Sequence, residues 1–107
     1  MVFFDFFKKH DINADFREYE SLPGAILLDV RTPEEYGEGR IPGAVNVSLQ
    51  TIEKTADVVK DKDTPLFVYC RSGGRSRQAV SALQHMGYTH VKNLGGIAAW
   101  TGDIERD

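Results

Sequence analysis

The one cysteine of the sequence, Cys70, stands where an apolar run gives way to a basic, glycine-rich loop: Pro65-Leu-Phe-Val-Tyr-Cys70-Arg-Ser-Gly-Gly-Arg-Ser76. A thiol in this position faces unpaired backbone N–H groups and the positive end of the helix that the following residues predict. Both stabilise negative charge on sulfur, so the thiolate gains over the thiol. Gly73 and Gly74 let the chain turn tightly and aim successive N–H groups at one point. Arg71 and Arg75 add fixed charge in forks suited to oxyanions, and Ser72 and Ser76 add hydroxyl donors. Taken alone, a cysteine at a strand end is more often an inert buried residue. The combination of strand, cysteine, glycine pair, arginines and helix favours a nucleophilic sulfur in an anion-binding cup.

The elements that must position this loop follow from the pattern around it. Leu66 to Tyr69 reads as the strand that delivers Cys70, and residues 72–86 read as a helix with Ala79, Val80, Leu83 and Met86 on one stripe, stopped by Gly87. Upstream, Asn13 to Tyr19 predicts a short helix capped by Asn13. Ala25-Ile-Leu-Leu-Asp-Val30 is an apolar run of the kind buried on both faces. Thr32-Pro33-Glu34-Glu35 is a helix start: Thr as cap, Pro at the first position, acids in the first turn. Ala44 to Ser48 predicts a second strand, Leu49 to Lys60 a helix, His90 to Leu94 a last strand and Ile97 to Trp100 a closing helix. Strands alternating with helices imply an α/β domain with a mainly parallel sheet and helices on both faces. Ligands collect at the carboxyl ends of such strands, where this reading puts Cys70.

At 107 residues with net charge −3, the chain predicts one domain over 1–107 and argues against nucleic acid as a partner. Arg71, Arg75 and Arg77 form a local basic cluster on that acidic background, which points to a small bound anion. A single cysteine excludes an internal disulfide and the multi-cysteine zinc patterns, and His10, His85 and His90 lack the spacing of a helical metal pair. The expectation is no metal and no cofactor. A free thiol fits a reducing compartment, most simply the cytoplasm. The Phe-rich start is too short and too interrupted to target or span a membrane; residues 1–11 read as a helical extension packed on the domain.

Spacing separates the families that share a strand–Cys–loop–helix unit. Protein tyrosine phosphatases separate Cys and Arg by five residues, commonly with His before the Cys; here four residues separate Cys70 from Arg75, and Tyr69 precedes the thiol. The sequence instead resembles the rhodanese-like sulfurtransferases from about Ile12 to Trp100. The matches are Asp29-Val-Arg31, Glu34-Glu35-Tyr36, Gly39-Arg-Ile-Pro-Gly-Ala44 with Asn46, the Cys70 loop, and Leu94-Gly-Gly-Ile-Ala-Ala-Trp100. The resemblance implies a doubly wound five-stranded sheet, a six-residue active loop from Cys70 to Arg75, and a Cys70 persulfide formed from thiosulfate or a similar donor. Cyanide or a thiol, on a small molecule or on a protein, would accept the sulfur. Where the family often carries His, this chain has Arg40, which either keeps a structural hydrogen bond or adds charge near the sheet end. Asp29 and Arg31 are expected to pair charges and cap the next helix beside the site. Trp100 reads as core, His85 as exposed, and Glu34 and Glu35 as helix-start acids without catalytic work.

Two other readings stay open on the residues: a persulfide carrier or redox-sensing module serving a protein partner, and, more remotely, a phosphatase or arsenate reductase.

Overall fold

The computed structural model describes residues 11–107; the extension expected to be helical lies outside the described residues apart from Asp11. Asp11, not Asn13, caps the first helix, α1 (Ile12–Ser21), its carboxylate accepting from the backbone N–H of Asn13 at 3.0 Å and of Ala14 at 3.4 Å. Capping two residues earlier buries Ile12 to 2% exposure in the first turn. The Asn13 side chain is thereby freed to tie the far end of the sequence, donating to the Ala99 carbonyl and accepting from the Thr101 N–H.

Four parallel strands make the sheet: β1 (Ile26–Asp29), β2 (Val45–Asn46), β3 (Leu66–Cys70) and β4 (Val91–Gly96), in the order β2-β1-β3-β4. The five strands implied by resemblance are thus corrected to four among the described residues. Each of the four predicted strand segments makes one strand, and the further extended segment near Glu105 meets the loop at Arg40 through an isolated antiparallel bridge. Helix α2 (Pro33–Glu38) begins as its sequence predicts, in a full capping box: the Thr32 hydroxyl accepts from the Glu35 N–H, and the Glu35 carboxylate accepts from the Thr32 N–H. The helix expected over Leu49 to Lys60 is broken. A 3₁₀ stretch, Leu49–Lys54, is interrupted at Thr51 (φ −126°, ψ 37°) before one turn of α3 (Thr55–Val58). β-branched Thr51, Ile52, Thr55 and Val58 all restrict χ1 against a preceding helical turn. Helix α4 (Gly74–His85) follows the loop.

Alternation along β3 divides the core into two layers. Leu66, Val68 and Cys70 face Ala79, Leu83 and Tyr88 on the α4 side, while Phe67 and Tyr69 face Ile12, Ile41 and Leu94 on the α1 side. Every residue of β3 is buried, which explains the continuous apolar run. Trp100 packs half-buried in the second layer, its ring edge-on to Phe16 at 4.7 Å. The chain leaves β1 toward β2 on one side and β3 on the other, so the strand order reverses between the carboxyl ends of β1 and β3. That crevice is where an α/β sheet binds ligands, and Asp29 and Cys70 end its two walls.

Candidate active site

Cys70 ends β3 with 1% of its surface exposed, so its sulfur is solvated by protein groups. The Gly73 N–H donates to Sγ at 3.0 Å, and the Ser76 hydroxyl oxygen lies 3.5 Å from it. Gly73 holds this geometry with φ of 107°, a left-handed conformation that costs glycine no steric strain, and it caps α4. Burial pushes the thiol up. The Ser76 hydroxyl and the backbone N–H groups of Ser76, Gly73 and Ser72 outweigh it, and the net direction is down. Ser76, fully buried, is itself oriented by the Gly73 and Gly95 carbonyls at 3.0 and 3.4 Å. The sequence-stated set Cys70, Ser72, Gly73 and Ser76 therefore converges on one point.

The two loop arginines do different things. Arg75 gives both terminal nitrogens to Glu35, Nη1 to Oε1 at 2.7 Å and Nη2 to Oε2 at 3.0 Å. That fork, with the Thr32 contacts, holds the Glu35 carboxyl at about 2, with burial acting the other way. The first turn of α4 is thus bolted to the first turn of α2, forty residues away in sequence. Arg71 is exposed, and its side chain has no hydrogen-bond or ion-pair partner among the described residues, while its carbonyl accepts from the Ala98 N–H at 3.1 Å. It lines a pocket of about 340 Å³ with Arg31, Glu35, Glu38, Gly39, Ile97, Ile104 and Arg106.

Gly74 opens α4, and a β-carbon there would meet nothing within 4 Å. A β-carbon on Gly96 would stand 2.2 Å from the Arg71 carbonyl oxygen and 2.6 Å from Ser72 Cα, so bare backbone at the end of β4 supports the loop from below. Glu35 and Gly96 are the two supports that sequence reasoning passed over. The signal for Glu35 was its place opposite a cap threonine; for Gly96 it was a glycine pair immediately after a strand.

Asp29 and Arg31 form a buried ion pair at 0% and 6% exposure, Arg31 Nη2 reaching Asp29 Oδ2 at 2.6 Å and the Gly39 carbonyl at 2.6 Å. The pairing was expected. The capping was not realised by Asp29, because Thr32 caps α2, and Asp29 instead accepts from the Arg31 N–H. Arg40 is structural: it donates to Glu105 at 3.2 Å and Asp107 at 2.9 Å and lies over the Tyr36 ring. Tyr69 turns to the other sheet face, where its hydroxyl accepts from the Ile41 N–H, and burial pushes its pKa well up. His85 is exposed on α4 and bonded to its own helix at the Ser81 carbonyl.

Seen together, these contacts make a loop that stabilises a buried sulfur anion and is braced on three sides. A family model for the rhodanese-like domain matches residues 13–103. The chain belongs to the rhodanese family. The thiosulfate sulfurtransferase PspE of Escherichia coli is 45% identical over 71 residues, covering 65% of this chain and 68% of that protein. A sulfurtransferase of Allochromatium vinosum is 44% identical over 77 residues, 70% of each. A solved structure described as rhodanese with anions from E. coli superposes with a TM-score of 0.73 at 38% identity, covering 78% of this chain and 99% of that one. These relatives support sulfur transfer as the reaction class of this rhodanese domain. Among its described residues no helix is long and apolar enough to cross a membrane.

Proposed function

We propose that this domain moves a sulfane sulfur through a persulfide on Cys70, taking it from thiosulfate or a similar anionic donor and passing it to cyanide or a thiol. The observation that carries the reading is the buried sulfur that accepts from the Gly73 N–H with the Ser76 hydroxyl beside it, while the Ser72 and Ser76 N–H groups also favour its charged form. The Cys70 thiolate attacks the outer sulfur of thiosulfate. The new S–S bond forms as the old one breaks, and the electron pair leaves on sulfite. The terminal persulfide sulfur then carries the charge the thiolate had, where the loop donors receive it. An acceptor attacks that outer sulfur and returns Cys70 as thiolate, completing a two-step exchange. The reaction needs no metal or cofactor. Cys70 is the one cysteine in the sequence, so the acceptor must come from elsewhere, and a thiol on a partner protein suits it as well as a small one. A reducing compartment such as the cytoplasm suits a thiolate that must turn over.

The Arg75–Glu35 fork favours sulfur over phosphoryl cargo, because it occupies both terminal nitrogens of the arginine that would otherwise neutralise a phosphoryl dianion. Intact-mass analysis tests the proposal. Protein treated with thiosulfate gains one sulfur atom at Cys70, and Cys70→Ser gains none. No gain in the wild type would refute it.

A further inference from the structure

We propose that Arg106 is a specificity-determining residue, held by a clasp between residues 37–40 and 104–107 so that it and Arg71 bind the anionic end of the sulfur substrate. This rests on the reading of Cys70 given above. Arg40 and Glu105 exchange backbone hydrogen bonds, each N–H donating to the other's carbonyl at 2.9 Å, and the Asp107 N–H donates to the Gly37 carbonyl at 3.1 Å. The Arg40 guanidinium closes the clasp on the Glu105 and Asp107 carboxylates. In an extended segment, alternate side chains point to opposite sides. Glu105 and Asp107 turn to Arg40, so Ile104 and Arg106 turn to the pocket and line it.

Gly39 makes room for them. A β-carbon there would stand 3.2 Å from Ile104 Cγ2 and 4.0 Å from Arg106 Nε. Of the charged groups lining the pocket, Arg31 is paired with Asp29 and Glu35 with Arg75. Glu38, Arg71 and Arg106 have no ion pair among the described residues, which leaves an excess of one positive charge. The pocket adjoins the Cys70 loop: Arg71, the residue after Cys70, lines it, and so does Glu35, which holds Arg75 of the same loop. Arg40 itself is consumed in the clasp; it presents Arg106 without meeting the substrate.

The test compares the alkylation rates of Cys70 by iodoacetate and by iodoacetamide, which differ in the anionic group and do not require turnover. Arg106→Gln lowers the iodoacetate-to-iodoacetamide ratio about three- to tenfold with the iodoacetamide rate unchanged, and Arg106→Lys restores most of it. An unchanged ratio, or an equal fall in both rates, overturns the proposal. Glu105→Gln combined with Asp107→Asn separates the clasp from diffuse charge: loss of the clasp lowers the ratio, whereas a purely electrostatic Arg106 would raise it and overturn the positioning role. Sulfur uptake from thiosulfate, followed by mass in the same variants, reads the Cys70 persulfide independently. Uptake without any change in the ratio sinks the Arg106 proposal alone, and a changed ratio without uptake sinks the persulfide reading alone.

Discussion

Replacing Gly96 by alanine asks whether the loop's position, and not just its composition, sets the reactivity of Cys70. The added β-carbon would lie 2.2 Å from the Arg71 carbonyl oxygen, 2.6 Å from Ser72 Cα and 2.7 Å from the Arg71 carbonyl carbon. All three are backbone atoms, so no side chain can swing aside. Restoring an ordinary contact moves the loop by about 1 Å, and overpacking of this kind costs about 1–3 kcal/mol of stability. The same shift takes the Gly73 N–H from 3.0 Å to about 4 Å from Sγ, beyond hydrogen-bond reach. A hydrogen bond to a charged group contributes about 1.5–3 kcal/mol, so losing one raises the Cys70 pKa. The pH profile of iodoacetamide alkylation measures that midpoint directly. Leu27→Ala, in the core layer on the opposite sheet face from Cys70, controls for general destabilisation and keeps the wild-type profile. A folded Gly96→Ala protein with an unchanged midpoint would refute the view that β4 backbone holds the loop in register.

Three other substitutions probe the remaining supports. Glu35→Gln keeps the capping geometry of α2 and removes the ion pair with Arg75. A carboxyl held at about 2 against an ordinary 4.5 contributes up to about 3 kcal/mol, which solvent at this quarter-exposed side chain cuts to about 1–2 kcal/mol. Because the folded-state pKa is the lower one, that contribution is complete above pH 4.5 and lost as pH falls toward 2. Urea unfolding should therefore show wild type and Glu35→Gln converging between about pH 5 and 2. A constant gap would remove the pair from the explanation. Ser76→Ala deletes the hydroxyl beside Sγ and raises the alkylation midpoint; wild-type reactivity at pH 7 would mean the backbone donors suffice. Asp29→Asn strands the buried Arg31 charge and costs about 3–5 kcal/mol by chemical denaturation, with a loss under about 1 kcal/mol counting against the pair.

The strand, loop and helix around Cys70 were legible because they are local. An apolar run, two glycines at the turn and a 3.6-residue stripe each speak through neighbours in sequence. What was missed joins distant residues. Glu35 looks like a helix-start acid, which it is, and nothing in its surroundings reveals that Arg75 takes both its oxygens. Gly96 looks like a turn glycine, yet its φ of −124° suits any residue, and glycine is required because the Arg71 carbonyl lies against it. Arg40 could be assigned no single role because residues 101–107 carry no periodic pattern, so the carboxylates that engage it could not be anticipated. The broken helix after Leu49 shows the converse error: apolar spacing alone suggested a continuous helix where β-branched residues favour short turns.

The braces bear on which cargo the loop suits. A flexible cup of N–H groups can widen for a larger anion, as a seven-residue phosphate cradle must. Here the cup is fixed by Gly73 in its left-handed conformation, by Gly96 pressed under Arg71 and Ser72, and by Arg75 locked to α2. Widening it would break the Arg75–Glu35 fork or drive the loop from β4. A terminal persulfide sulfur needs neither, since it carries one charge at one atom, and the Gly73 N–H already donates to the Cys70 sulfur with the Ser72 and Ser76 N–H groups beside it. A tetrahedral oxyanion would place its remaining oxygens beyond these donors, toward Arg71 and the open pocket. Thiosulfate, the proposed donor, would divide along that same line, with its outer sulfur toward the cup and its sulfonate facing outward. Rigidity of the loop, more than its basic character, is thus the property that favours sulfur.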